Sequence, residues 1–123
     1  MKIIATDCAP AAIGPYSQAV VIDGFIFASG QIPLLPGTGL VVEGGIKEQA
    51  EQVMRNVGAV LTAAGSDFSK VVKATCFLTD MNDFAVFNEI YAKHFISKPA
   101  RSCVAVSALP KDVLVEVEVI ARV

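Results

Sequence analysis

From Val113 to Ile120 valine takes every odd position, while Leu114, Glu116, Glu118 and Ile120 take the even ones. Side chains alternate between the two faces of a β-strand. Residues 113–121 are therefore expected to form a strand with one all-valine face and one face carrying two carboxylates. Such a strand can bury its valines only if a sheet forms and a second layer covers it. The chain also encodes that layer. Ile46, Ala50, Val53, Val57, Val60, Leu61 and Ala64 recur along one helical stripe, whereas Lys47, Glu48, Glu51 and Arg55 lie off it. Residues 46–64 are expected to be an amphipathic helix. Glu51 and Arg55 would form an i,i+4 pair, and Gly65 would end the helix as its C-cap.

The other elements follow from shorter signals. Residues 18–22 and 25–29 flank Asp23-Gly24, a strong hairpin pair between apolar runs. Residues 33–45 are rich in Pro and Gly and read as loop. Residues 70–78 are rich in β-formers and predict a strand. A second helix is expected over 81–96, with Asp80 or Asn82 as N-cap and Phe84, Phe87, Tyr91 and Phe95 as its apolar face. A strand at 102–107 precedes the valine strand. This order indicates a single α+β domain over residues 1–123, in two layers, with one sheet and two helices on one of its faces. The second sheet face needs a cover of its own. Hydrophobic types make up 54% of the 123 residues and charged types 18%, against typical values of about 45–50% and about 25%. That excess points to a second subunit as the cover.

Composition also narrows the function. The net charge is −2, and Lys and Arg are scattered singly, which is unlike the basic stripe of a nucleic-acid binder. Residues 24–42 carry no charge over 19 positions, but Gly24, Gly30, Pro33, Pro36, Gly37 and Gly39 interrupt them. No membrane span is expected there, and the start of the chain has no signal-peptide pattern. Cys8, Cys76 and Cys103 are odd in number and contain no Cys-x-x-Cys. Neither a disulfide framework nor a zinc site is expected, and a reducing cytosol fits best. Gly37-Thr-Gly39 and Gly44-Gly45 make no phosphate loop. No metal or organic cofactor is expected. His94, on a helix flank, reads as a surface residue rather than a base, and Cys76 as core.

Three polar residues stand out. Arg101 is the one charge on a strand face otherwise holding Cys103, Ala105 and Ser107. A guanidinium so placed suits bidentate capture of a carboxylate; the alternative is an edge arginine with its head in water. Glu116 and Glu118 are flanked by valines in a strand expected to be half buried. A carboxylate there must be paired, hydrogen-bonded or at a cleft. Arg101 with Glu116 would make a compact acid-binding site with a base. Alternatively they form a structural ion pair, or the two glutamates face solvent. Asn88 shares a helical face with Phe84, Tyr91 and Phe95; it either caps something local or points into a pocket.

Four separated stretches, in order, resemble one family. They are Ala9-Pro-Ala-Ala-Ile-Gly-Pro-Tyr16-Ser-Gln, Ser29-Gly-Gln-Ile-Pro33, Thr79-Asp-Met-Asn-Asp-Phe84, and Pro99-Ala-Arg-Ser-Cys-Val-Ala-Val-Ser-Ala-Leu-Pro-Lys-Asp-Val-Leu-Val-Glu116-Val. Across the whole chain the sequence is similar to the RidA family (YjgF/YER057c/UK114), the reactive intermediate deaminases. The resemblance implies a chorismate-mutase-like α+β fold in a cytoplasmic homotrimer. Its three sheets would form a central barrel with clefts at the subunit interfaces. It implies hydrolysis of 2-iminoalkanoates and their enamine tautomers, such as 2-aminoacrylate and 2-iminobutanoate, to 2-oxo acids and ammonia. That activity would limit damage to pyridoxal-phosphate enzymes.

By the same resemblance, Arg101 would clamp the substrate carboxylate, and Glu116 would hold and activate the attacking water. Tyr16, Ser29, Gly30, Asn88 and Cys103 match pocket positions, with Cys103 contributing its backbone amide and packing rather than a nucleophile. The ligands implied are small 2-imino and 2-oxo acids. The chain departs from the archetypal strings at Ala105 and Ala108, positions often charged, which bears on side-chain specificity. The segment from Tyr91 to Pro99 is also short. Two other readings stand beside deaminase: a small-carboxylate-binding regulator with little turnover, and a ribonuclease or translation inhibitor, against which the scattered basic residues speak.

Overall fold

The computed structural model describes residues 1–123. Along the chain lie β1 (Lys2–Ile4), β2 (Ala19–Ile22), β3 (Phe25–Ala28), α1 (Ile46–Ala63), β4 (Val71–Leu78), α2 (Phe84–His94), β5 (Ala100–Ala105) and β6 (Val115–Arg122). The strands make one mixed sheet of six in the order β1-β2-β3-β6-β4-β5. β4 and β5 are parallel and joined through α2; every other pair is antiparallel. The valine strand β6 is inserted between β3 and β4, so it joins two strands separated in sequence by α1.

Val115, Val117, Val119 and Ala121 of β6 are buried. They share one core with Ala50, Val53, Val57, Val60 and Leu61 of α1 and with Phe87, Ile90 and Tyr91 of α2. Asp23 and Gly24 both have positive φ, at 52° and 80°, as a two-residue primed hairpin turn requires. Gly65 adopts φ 79° just past α1. Its N–H donates to the Thr62 carbonyl at 3.0 Å, and that of Ser66 to Leu61 at 2.9 Å. This pair of bonds is a Schellman ending.

Several local expectations changed. β1 was not anticipated, because three residues carry too little alternation to be seen. It exists through pairing with β2 and through buried Gln18, which accepts from the Thr6 N–H at 2.7 Å and donates to the Thr6 and Pro10 carbonyls. The second helix is split: residues Met81–Asp83 form a 3-10 turn capped by Asp80, and α2 starts at Phe84. β5 runs over 100–105 instead of 102–107, because its partner β4 ends at Leu78 opposite Ala105. Arg55 bonds Gln52 at 3.3 Å rather than pairing with Glu51.

The buried face of α1 is also more polar than its stripe suggested. Gln49, Gln52 and Asn56 are all buried. Asn56 donates to the Ile32 and Leu34 carbonyls at 3.0 and 2.9 Å. Gln49 accepts from the Leu114 N–H at 2.8 Å. These bonds tie the loop after β3 and the entry to β6 to one helix, fixing the ground on which Gly30 and Glu116 stand.

Both helices lie on one sheet face. On the other face, no element of the chain covers Ile3, Ile22, Phe25, Phe27 and Val104, which are 40% to 61% exposed. No helix is long and apolar enough to cross a membrane.

Candidate functional site

Arg101 sits near the start of the edge strand β5, opposite Ala74 of β4. Ala74 is buried under the helices, so Arg101 points into the helix layer at its rim. Its Nη1 donates to Asn88 Oδ1 at 2.6 Å. Its guanidinium carbon lies 4.6 Å from the centre of the Tyr91 ring and 5.5 Å from that of Phe84. Phe84, Asn88 and Tyr91 come from successive turns of α2, which explains the polar residue on an aromatic face. No carboxylate of the chain forms an ion pair with Arg101. The head is therefore neither free in water nor neutralised.

Arg101 and Asn88 line an open pocket of about 610 Å³ together with Tyr91, Ala92, Phe95, Ile96, Lys98 and Pro99. Two cations and no acid border it, so the pocket suits a small anion. Cys103 is half-buried on the same face as Arg101, opposite Cys76. Burial pushes the Cys103 thiol up, with Arg101 opposing. Burial pushes Cys76 up to about 12. Neither thiol is poised as a thiolate nucleophile.

Glu116 lies in β6 opposite Phe77, on the uncovered sheet face. It is half-buried, and burial raises its carboxyl above the ordinary value, with Glu118 adding like-charge repulsion. Its carboxylate rests directly on Gly30: a Cβ added there would meet Glu116 Cδ at 2.8 Å and Cγ at 3.0 Å. The backbones are locked beside that contact, since Gln31 and Val117 exchange bonds at 2.8 and 3.1 Å. The Ser29 hydroxyl donates to the Ser17 carbonyl at 2.6 Å, and the Ser29 N–H donates to the Gln18 carbonyl at 2.9 Å. These bonds hold the segment carrying Tyr16, which is 56% exposed.

The residues singled out in the sequence thus fall into two groups. Arg101, Asn88 and Cys103 meet at the helix-covered face. Glu116 and Gly30 adjoin one another, with Ser29 next in the chain and Tyr16 on the segment Ser29 anchors. Within one chain the two groups do not meet. Glu116 and Arg101 are two strands apart and three residues out of register, so their Cα atoms are separated by about 14 Å at ordinary strand spacings, and their side chains leave opposite faces. The compact Arg101–Glu116 pair is absent from the single chain, and so is a structural ion pair.

The sequence pattern places Tyr91 only among the apolar face of its helix, whereas in the fold its ring lies under Arg101. Its three-residue spacing from Asn88 was the available signal. No three His, Cys, Asp or Glu side chains cluster where they could hold a metal ion. His94 packs on the Phe68 ring at 5.3 Å, and burial lowers its pKa with help from Lys93. It lines neither group.

The fold places this chain among small α+β proteins with one sheet face under two helices and the other left open. Residues 6–123 match the family described as endoribonuclease L-PSP, and the chain belongs to that family, the RidA (YjgF) family. It is 56% identical over 124 residues to a Lactococcus lactis protein named as the regulator AldR, covering 100% of this chain and 98% of that one. It is 53% identical over 121 residues to the Bos taurus 2-iminobutanoate/2-iminopropanoate deaminase, covering 98% of this chain and 88% of that one. The structure of E. coli TdcF with bound serine matches with a TM-score of 0.93 at 46% identity, covering 100% of this chain and 99% of that one.

Proposed function

We propose that this protein is a cytoplasmic deaminase that hydrolyses 2-iminoalkanoates and their enamine tautomers to 2-oxo acids and ammonia, acting as one domain over residues 1–123. The observation that carries this reading is Arg101: a guanidinium held in place, without a carboxylate partner, in a pocket bordered by cations. A small carboxylate is the ligand that would complete it. The serine in TdcF and the name of the Bos taurus relative support a 2-imino acid as that carboxylate. The other half of the kit, Glu116 on Gly30, belongs to a face whose exposed apolar side chains need a cover. A homotrimer with its sheets turned inward would cover them. It would also bring Glu116, Tyr16, Ser29 and Gly30 of one copy to Arg101, Asn88 and Cys103 of the next.

The chemistry follows from these groups. Arg101 binds the carboxylate and fixes the imine carbon in place. Glu116 accepts a proton from water as the water oxygen bonds to the carbon of the N-protonated imine and the C=N π pair moves onto nitrogen. Glu116 returns that proton to the amino nitrogen of the carbinolamine; the C–N bond breaks to release ammonia, the hydroxyl proton passes through Glu116 to the ammonia, and a 2-oxo acid remains. A carboxyl raised by burial is a better base than an ordinary glutamate. This activity would limit damage to pyridoxal-phosphate enzymes, whose dehydrations release such imines.

The test is direct: 2-iminobutanoate is generated with a dehydratase, and 2-oxo acid formation is followed with and without the protein. Acceleration that Arg101→Ala abolishes is expected. The name of the Lactococcus lactis relative favours a second reading, a regulator that binds small carboxylates with little turnover. Binding of 2-oxobutanoate without acceleration would establish that reading, and neither binding nor acceleration would refute both. The ribonuclease description of the family is checked by an RNA cleavage assay with the Arg101→Ala control.

A further inference from the structure

We propose that Tyr91 is a positioning residue for Arg101: its ring face, with Asn88 beside it, holds the guanidinium in one orientation and so presents one edge of the fork to a carboxylate. This rests on the carboxylate-binding reading above. The ring lies 4.6 Å from the guanidinium carbon, within reach of a cation–π contact. The ring itself cannot swing. Phe95 stacks on it at 4.1 Å and 12°, and Phe87 packs at 5.9 Å. Asn88 Oδ1 accepts a hydrogen bond from Nη1 at 2.6 Å, which leaves the Nε–Nη2 edge for a planar, bidentate acceptor. A long, flexible side chain is thereby ordered before ligand arrives, and the ordering cost is not charged to binding.

The hydroxyl of Tyr91 does not explain why a tyrosine ring is held here. It is buried without a hydrogen-bond partner, in a side chain only 7% exposed. Burial pushes its pKa up to about 12, so it stays protonated and neither supplies nor takes a proton in a neutral solution. Only the ring face touches a functional group. The aromatic face and the hydroxyl are therefore separable by substitution.

The probe is 2-oxobutanoate, titrated calorimetrically into the full-length protein. Tyr91→Leu is expected to weaken binding about 3- to 30-fold, the range of a cation–π contact converted to affinity. Tyr91→Phe is expected to bind as tightly as wild type. In an Arg101→Lys background, Tyr91→Leu is expected to add little, because the two residues act through one contact. A merely structural role predicts additive losses instead. If Tyr91→Leu does not fold, 4-cyanophenylalanine at position 91 keeps the ring shape and withdraws electron density. It is then expected to bind more weakly than Tyr91→Phe, and equal binding would overturn the proposal. Wild-type binding that Tyr91→Leu leaves unchanged would overturn it alone. No binding by wild type would overturn the carboxylate reading, and this inference with it.

Discussion

Replacing Gly30 with alanine places a methyl group where the Glu116 carboxylate lies. The φ of Gly30 is outside the left-handed region, so the backbone accepts a Cβ without strain. The obstacle is the side chain opposite, with Cδ at 2.8 Å and Cγ at 3.0 Å. Carbon atoms rest at about 3.5–4.0 Å, so the carboxylate must retreat by about 1 Å. It can do so toward the uncovered sheet face. The stability loss is therefore expected to stay under about 1 kcal/mol, at the bottom of the overpacking range. A misplacement of about 1 Å in a reacting group costs about 100-fold in rate, or about 2.7 kcal/mol of barrier. Gly30→Ala is expected to melt close to wild type while 2-oxo acid formation from 2-iminobutanoate falls by about two orders of magnitude. Binding of 2-oxobutanoate through Arg101 should be largely retained. In a Glu116→Ala background the same change should cost nothing further, since the group it displaces is gone. A folded Gly30→Ala protein with wild-type rates would show that the position of Glu116 is irrelevant to turnover.

Four further substitutions test other contacts of the same fold. Burial, aided by Glu118, raises the Glu116 carboxyl, and the ionised form is the base. The acid limb of the rate profile should therefore lie above an ordinary glutamate's, and Glu118→Gln should move it to lower pH. Because the fold favours protonated Glu116, ionisation costs stability as pH rises through the raised folded value. Glu116→Gln should raise the melting temperature at neutral pH, with the gain vanishing in acid. Phe27→Asp puts a charge on the uncovered apolar face. Light scattering should find wild type as a trimer and the variant as a smaller species; a wild-type monomer at micromolar concentration would refute the covering-copy reading. Gly65→Ala places a Cβ at φ 79°, and calorimetry should show a loss of about 1 kcal/mol.

Much of the fold was written locally. The alternation of Val115, Val117 and Val119 made β6, the stripe from Ile46 to Leu61 made α1, and Asp23-Gly24 made the hairpin. In each case the neighbours that matter are within a few residues, so periodicity and turn chemistry suffice. The four family stretches are equally local and carried the assignment of the chain to its family. The site was legible only as residue types. That Arg101 and Glu116 were unusual followed from charges among apolar strand residues. That they leave opposite faces did not follow.

Tertiary structure decided the rest, because strand neighbours and register are set by contacts between distant segments. A slip of one residue reverses the face of every side chain. The insertion of β6 between β3 and β4 sets Glu116 against Phe77 and onto Gly30, while the parallel pairing of β5 sets Arg101 against Ala74 and beneath the helices. Asn88 and Tyr91 reach Arg101 only because α2 crosses over that edge. β1, too short to show a period, exists only through β2 and Gln18. Sequence by itself determined the elements long enough to show a period, and the kinds of chemistry available. Which groups meet was decided by packing, and packing leaves each chain with two separated groups of candidate residues.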